Sequence, residues 1–370
     1  MKYTFCVPCL MGVEGLVADE LKFNKFENVV AENGRVFFDG DMSECARANV
    51  TLRCGERVLL VVGKFRATTF DMLFEGVKAL PWEKFIGKTN AFPVKGYSIH
   101  SKLFSVRDCQ SITKKAIVEK LKLKLGTNFL TETGAKMQVQ FSLMNDLCHI
   151  FLDTTGTPLY KRGYRLAMNE APIRETLAAS MVKVARYKGR EPFYDVFCGS
   201  GTIVIEAAMA AMNIAPGARR KFDAENWSFF DTSVFDEQRE AAIAKENRVK
   251  MPIYASDISP EAIRICTENI KRAGLEGLIE VSRKDATAID YTGMTGTLIS
   301  NPPYGERLLE LEEARDIYEG FGYALKKAPE LKKYIISSDE KFEDYFGKKA
   351  DKKRKLYNGM IKCNLYMYFK

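Results

Sequence analysis

A chain of 370 residues, 46% hydrophobic and 28% charged, is long enough for two or three separately cored domains and has the make-up of an ordinary globular protein. No apolar run approaches the roughly 20 residues of a membrane span, and Met1-Lys2-Tyr3-Thr4-Phe5-Cys6-Val7-Pro8 lacks a secretory signal, so a cytoplasmic protein is expected. The net charge of +8 is lopsided: 24 Lys and Arg against 17 Asp and Glu precede residue 166, which suits an N-terminal part that meets a polyanion.

The first module opens with the strand-like run Tyr3–Val7. From Gly12 to Lys25, Val13, Leu16, Val17 and Leu21 recur at helical spacing. Asn33-Gly34 between Val29-Val30 and Val36-Phe37-Phe38 is a hairpin signal, because both turn residues tolerate positive φ. A helix around Asp41–Leu52 and a strand over Arg57–Phe65 complete this α+β module, taken as residues 1–65.

The second module, 66–165, has a helix after Thr69 and a strand over Ala91–His100. Next come a helix over Arg107–Leu125 that carries Lys114, Lys115, Lys120, Lys122 and Lys124, and strands over Lys136–Leu143 and Leu147–Asp153. The lysines make an RNA-facing surface the expectation here. Pro158–Arg165 reads as an exit strand. Cys6-x-x-Cys9 has no second pair to complete a zinc site, the nine cysteines read as buried apolar residues, and there are only two histidines, so no metal is expected.

From about 166 to 370 helices and strands alternate, as in a doubly wound parallel sheet. The strands are expected at Phe193–Phe197, Ile253–Ser256, Ile279–Ser282, Thr297–Ser300 and Tyr334–Ser337. Asn358-Gly359 then joins Lys355–Tyr357 to Met360–Phe369 in an antiparallel hairpin. A parallel sheet ending in such a hairpin is the class I methyltransferase arrangement.

Four motifs carry chemistry. Asp195-Val196-Phe197-Cys198-Gly199-Ser200-Gly201-Thr202 turns from a strand into a helix and aims backbone N–H groups at a ligand. Val204 stands where a dinucleotide fingerprint has its third glycine, and Asp195 would repel a pyrophosphate but suits an amino group. Asp257, followed by Ile258, can accept both hydroxyls of a ribose, and Asp285, followed by Ala286, can accept from an adenine amino group. Asn301-Pro302-Pro303-Tyr304-Gly305-Glu306-Arg307 follows the fourth strand. There the Asn301 side chain and the Pro302 carbonyl can each accept a hydrogen of an –NH2 group, and Tyr304 can stack on its ring. No cysteine sits in this motif, which argues against cytosine-C5 chemistry.

Together with Leu159–Arg165 and Ala171-Pro172-Ile173-Arg174-Glu175-Thr176-Leu177-Ala178-Ala179, these strings resemble the THUMP-domain methyltransferases of the bacterial YpsC type. These are similar to the N-terminal half of the large-subunit rRNA guanine-N2-methyltransferase L. The resemblance covers essentially the whole chain. It implies a ferredoxin-like subdomain, a THUMP RNA-binding domain and a Rossmann-like domain using S-adenosylmethionine. It assigns Asp195, Phe197, Gly199 and Gly201 to the methionine end of the cofactor, Asp257 to the ribose and Asp285 to the adenine. Thr176 falls in a segment passing over the cofactor, and Asn301, Pro302 and Tyr304 meet the target base. Val196 departs from the usual Pro, and with no second methyltransferase domain following, one modification is expected. The expected reaction is methylation of guanine N2 in 23S rRNA. The rivals are an N6-adenine or N4-cytosine DNA methyltransferase and a non-catalytic RNA-binding assembly factor.

Overall fold

Two seven-stranded sheets organise the computed structural model, which describes residues 1–165, 173–247, 252–304 and 308–369, apart from the side chains of Leu308 and Leu309. Ala171, Pro172, Gly305, Glu306 and Arg307 of the motifs above lie outside the described residues.

The N-terminal sheet is built from β1 (Tyr3–Pro8), α1 (Glu14–Phe23), β2 (Glu27–Glu32), β3 (Arg35–Gly40), α2 (Met42–Thr51) and β4 (Leu59–Arg66). These are followed by α3 (Phe70–Ala79), β5 (Val94–Ile99), α4 (Val106–Leu125), β6 (Val139–Met144) and β7 (Leu147–Asp153). Gly34 takes φ +73° in the turn between β2 and β3, as the Asn-Gly pair predicts. Helix α2 starts on a capping box, with Asp41 accepting from the Ser43 and Glu44 amides and Glu44 accepting from the Asp41 amide.

The strand order is β2-β3-β1-β4-β7-β6-β5. The two expected modules therefore share one sheet, because β4 pairs antiparallel with β7 from Leu59↔Asp153 to Arg66↔Leu147. One face joins the main core through Phe5, Val36, Phe38, Leu60, Val139, Phe141, Ile150 and Leu152, together with residues of α1 to α4.

The second sheet follows α5 (Glu175–Val184) with β8 (Phe193–Asp195), α6 (Thr202–Ala211), α7 (Val234–Ile243), β9 (Ile253–Asp257), α8 (Pro260–Arg272), β10 (Ile279–Arg283) and β11 (Gly296–Ser300). It closes with α9 (Leu308–Leu325), β12 (Leu331–Ser337), α10 (Phe342–Phe346), β13 (Lys352–Asn358) and β14 (Ile361–Tyr368). Its order is β10-β9-β8-β11-β12-β14-β13, parallel from β10 to β12, with β14 antiparallel between β12 and β13. This is the class I methyltransferase topology. The strand order reverses beside β8, so a crevice opens at the carboxyl ends of β8 and β11.

Pro158–Arg165 is not a strand. Its residues turn, and the Arg162 side chain sinks into the protein. The guanidinium donates to Glu206 Oε1 at 3.3 Å, to the Leu159 carbonyl at 2.8 Å and to the Arg53 carbonyl at 2.6 Å. Tyr164 donates to Glu206 at 3.1 Å. Since Arg162 and Glu206 are both almost completely buried, this ion pair bolts the connecting segment onto α6. Arg53 adds a bond to the Ile214 carbonyl at 2.8 Å, and Trp227 donates to the Lys136 carbonyl at 3.0 Å, so the two halves are tied at several points.

Candidate active site

Asp195 closes β8 with 1% of its surface exposed. Its Oδ1 accepts from Ser300 Oγ at 2.9 Å and from the Phe197 amide at 3.2 Å. Its Oδ2 is buried and has no partner. Burial pushes its pKa up to about 7, against the bonds from Ser300 and the Phe197 amide, which act to lower it. A buried carboxylate oxygen with nothing to accept from is an unmet demand for a cation or N–H donor.

After Asp195 the chain passes through Gly199 (φ +49°) and Gly201 (φ +80°), conformations that β-carbons disfavour. A Cβ on Gly201 would also lie 2.7 Å from Cys266 Sγ. The Gly199 Cβ position has no neighbour within 4 Å, so the turn leaves open space beside its backbone. Asn269 Nδ2 holds the Ser200 carbonyl at 2.9 Å and secures the turn from α8. The hydrogen bond with Cys266, and burial second, push the Cys198 thiol well above its ordinary range and disfavour its thiolate.

Asp257 ends β9, next to β8. It accepts from the Gly199 amide at 3.0 Å through Oδ2 and from the Ser259 amide at 2.9 Å through Oδ1, which clamps it beside the glycine turn. Each oxygen keeps a lone pair for a hydroxyl. Ile258, 60% exposed, offers an apolar surface next to it. Asp285 is exposed just past β10 and accepts from the Thr287 amide and hydroxyl through Oδ1, while Ala286 is buried. Asp195, Gly199, Asp257 and Asp285 thus line adjacent strand ends.

Asn301 and Pro302 follow β11 directly. Ser300 joins this strand to Asp195, and its Oγ also accepts from the Val196 amide at 3.1 Å. The Pro303 carbonyl accepts from Tyr318 at 2.6 Å, pinning the loop to α9. Tyr304 is folded inward: its hydroxyl donates to Asn301 Oδ1, and its ring packs on the core. The acceptor expected for a substrate amine is therefore held by a tyrosine expected to stack on the base.

Two expected residues sit differently from the rest. The Phe197 ring packs edge-on against Phe321, centroids 5.1 Å apart, so its amide rather than its ring faces Asp195. Thr176, fully buried in the first turn of α5, donates to Glu56 Oε1 at 2.5 Å. Glu56 also pairs with Arg174 at 3.6 Å, so the N-terminal half grips this segment. Sequence reasoning missed Ser300, Glu56 and Glu206; only their spatial partners give them meaning. No helix among the described residues is long and apolar enough to cross a membrane.

Comparison with known proteins matches residues 162–367 to the RMKL-like methyltransferase domain, 4–59 to the RlmL ferredoxin-like domain and 67–153 to the THUMP domain. The chain is 43% identical to the "Putative RNA methyltransferase YpsC" of Bacillus subtilis, over 100% of this chain and 96% of that protein. It is 33% identical to the "Ribosomal RNA large subunit methyltransferase K/L" of Psychromonas ingrahamii, over 99% of this chain, and it spans about half the length of that relative, 50%. Among solved structures, a "predicted N6-adenine-specific DNA methylase" from Listeria monocytogenes superposes with a TM-score of 0.94 at 42% identity, covering 100% of this chain and 96% of the other. A "putative methyltransferase complexed with SAH" gives 0.94 at 38% identity, covering 100% of this chain and 98% of the other. S-adenosylhomocysteine is what S-adenosylmethionine becomes once its methyl is transferred, and the orphaned Asp195 oxygen and open glycine turn suit its charged and polar ends. With the domain model spanning more than half its length, this chain belongs to the RMKL-like family of S-adenosylmethionine-dependent methyltransferases, carried behind RlmL-type ferredoxin-like and THUMP domains.

Proposed function

We propose that this enzyme methylates the exocyclic amino group of a base in RNA, guanine N2 of 23S rRNA. The observation that carries the reading is the Asn301-Pro302-Pro303-Tyr304 loop, joined through Ser300 to the buried Asp195. The relatives named for ribosomal RNA and the basic N-terminal half support RNA over DNA. We assign 1–65 and 66–165 to RNA and 166–370 to the chemistry.

Asp195 Oδ2 and the Phe197–Gly201 turn hold the methionine end of the cofactor, Asp257 the ribose, Ile258 and Ala286 the adenine flank, and Asp285 its amino group. Thr176, anchored by Glu56, fixes the wall over the cofactor. Bound there, S-adenosylmethionine supplies an electrophilic methyl group whose leaving group is a neutral thioether.

On the substrate side, Asn301 Oδ1 and the Pro302 carbonyl each accept one amine hydrogen, which turns the nitrogen lone pair toward the methyl group. To do so Asn301 exchanges the Tyr304 hydroxyl for the amine, one hydrogen bond for another, and the freed ring can stack on the base. As the N–C bond forms, the nitrogen becomes cationic and passes a proton to water or a weak acceptor, so no strong base is required.

Asn301→Ala tests this directly. Turnover should fall by orders of magnitude with cofactor affinity nearly unchanged; full turnover would end the assignment.

A further inference from the structure

Helices α1 to α4 cover one face of the N-terminal sheet, and the other face forms a separate small cluster made of strand residues alone: Cys6, Leu59 and Phe151, with Phe37 and Val61 packed against them. Strand register puts Val30, Phe37, His149 and Tyr97 on this same open face, since Val30 pairs with Phe37, Phe37 with Cys6, Ser142 with His149 and Tyr97 with Ser142. Val30 is 54% and Tyr97 44% exposed, and Phe37 is half-buried. The rings are arranged as a platform. His149 stacks on Phe151 at 5.8 Å and 5°, Phe37 lies 5.8 Å from His149, and the Arg35 guanidinium sits 5.1 Å from the Phe37 ring.

Two features of this face are unexplained by folding. His149 Nδ1 and Ser142 Oγ stand opposite each other across β7 and β6, buried (5% and 1% exposed) and without a hydrogen-bond partner. Burial first, and the Arg35 charge second, hold His149 down at about 4, so its ring is neutral near pH 7. The second feature is charge. The carboxylates of this face are engaged: Glu32 by Arg35, Asp39 by Thr4 and Asn28, and Asp153 by Arg57 and Gln140. Lys64, Arg66 and Lys95, on the same face and exposed, have no carboxylate partner among the described residues. A groove of about 990 Å³ lies at the β3 and β4 part of this face, past Val30, Phe37, Val61, Lys64 and His149, and continues to Lys84, Phe85 and Phe229.

We propose that this open face binds a single-stranded stretch of the RNA substrate. Its bases stack on the exposed Tyr97 and the half-buried Phe37, with His149 and Phe151 packed beneath as support, and phosphates meet the exposed Lys64, Arg66 and Lys95. The inference rests on RNA being the substrate. It goes further in choosing the sheet face over the lysine-bearing helix α4, which packs on the other side. Aromatic platforms with neighbouring cations suit single strands, whose bases can be splayed onto rings; a duplex keeps its bases stacked inside. From Tyr97 on β5 to Phe37 on β3 the platform crosses five strand spacings, about 24 Å, enough for several nucleotides.

The test uses the full chain and a labelled, unstructured 12-nucleotide RNA, with a hairpin duplex as the comparison. Tyr97→Ala should weaken single-strand binding by about fivefold to a hundredfold and barely change duplex binding. Lys64→Ala/Arg66→Ala should lower the slope of log affinity against log salt by about 1.4. S-adenosylhomocysteine binding, measured in parallel, should be unchanged and so reports an intact fold. Wild-type protein that prefers the duplex, or single-strand binding lost in Lys120→Ala/Lys124→Ala on α4 but not in Tyr97→Ala, would overturn the proposal. So would Tyr97→Ala converting a dimer to monomers in sedimentation, which would mean a second copy covers the face. If the wild type methylates no RNA at all, the substrate reading itself fails, and that result is separate from all of these.

Discussion

On the proposed assignment of Asp195 to the cofactor's amino group, the burial of this carboxyl makes cofactor affinity a function of pH. A carboxyl raised from the ordinary 3.8 to about 7 corresponds to about 4 kcal/mol disfavouring its charged form in the folded protein. The sign follows from proton counting. Between those two pH values the folded protein keeps a proton that the unfolded chain has lost. This group's contribution to stability is therefore full below pH 3.8 and declines as the pH climbs toward 7. A bound ammonium removes the penalty, because the carboxylate then has a partner on its orphaned oxygen. Cofactor affinity should therefore rise as the pH approaches 7 and fall again near 8, where an α-amino group loses its own proton. Taking both titrations together, affinity at pH 5 should be about fiftyfold weaker than at pH 7.4. Calorimetric titration with S-adenosylhomocysteine across this range measures the effect directly. In Asp195→Asn the acid limb should vanish and overall affinity fall, while the apo protein melts higher than wild type at pH 8 and no higher below pH 4. A wild-type affinity flat from pH 5 to 7 would refute the assignment of Asp195 to the cofactor's amino group.

Asp257→Ala should weaken cofactor binding by more than tenfold, through the ribose contact and through loss of its bond to the Gly199 amide; normal affinity in calorimetry would remove its role. Tyr304→Phe frees Asn301 and keeps a stacking ring, so turnover should stay within a few-fold, whereas Tyr304→Ala should lower it at least tenfold; the reverse order would contradict the exchange at Asn301. Glu206→Ala strands the buried Arg162 charge and should cost about 3–5 kcal/mol in denaturant unfolding, with an unchanged midpoint as the contrary result.

Much of this molecule is legible where local chemistry decides. Gly34 and Gly359 take the positive φ and hairpins stand at both places, but the second turn is Gly359-Met360 rather than Asn358-Gly359, because Asn358 still pairs with Ile361 in the ladder. The run of strands, with an acid at the end of β8 and β9 and just past β10, put Asp195, Asp257 and Asp285 along one edge. What escaped was decided by distant partners. Pro158–Arg165 has residues a strand would accept, but Arg162 is taken by Glu206, 44 positions away, and the backbone amides of Lys161 and Arg162 bond within the segment to the Pro158 and Tyr160 carbonyls. Likewise β4 and β7 pair across what composition divides into two modules, because pairing depends on which edge each strand is left with. Ser300 looked like the last residue of an apolar strand; its role is set by Asp195, 105 positions earlier. The open sheet face was invisible for the same reason, since Tyr97, His149 and Phe37 come from three separate strands.

The most direct measurement incubates the protein with methyl-labelled S-adenosylmethionine and either total RNA or DNA from a strain lacking the gene, then digests the nucleic acid and identifies the labelled nucleoside. Label recovered as N2-methylguanosine from the large ribosomal RNA is the expected result; label recovered from DNA as N6-methyladenine would contradict it.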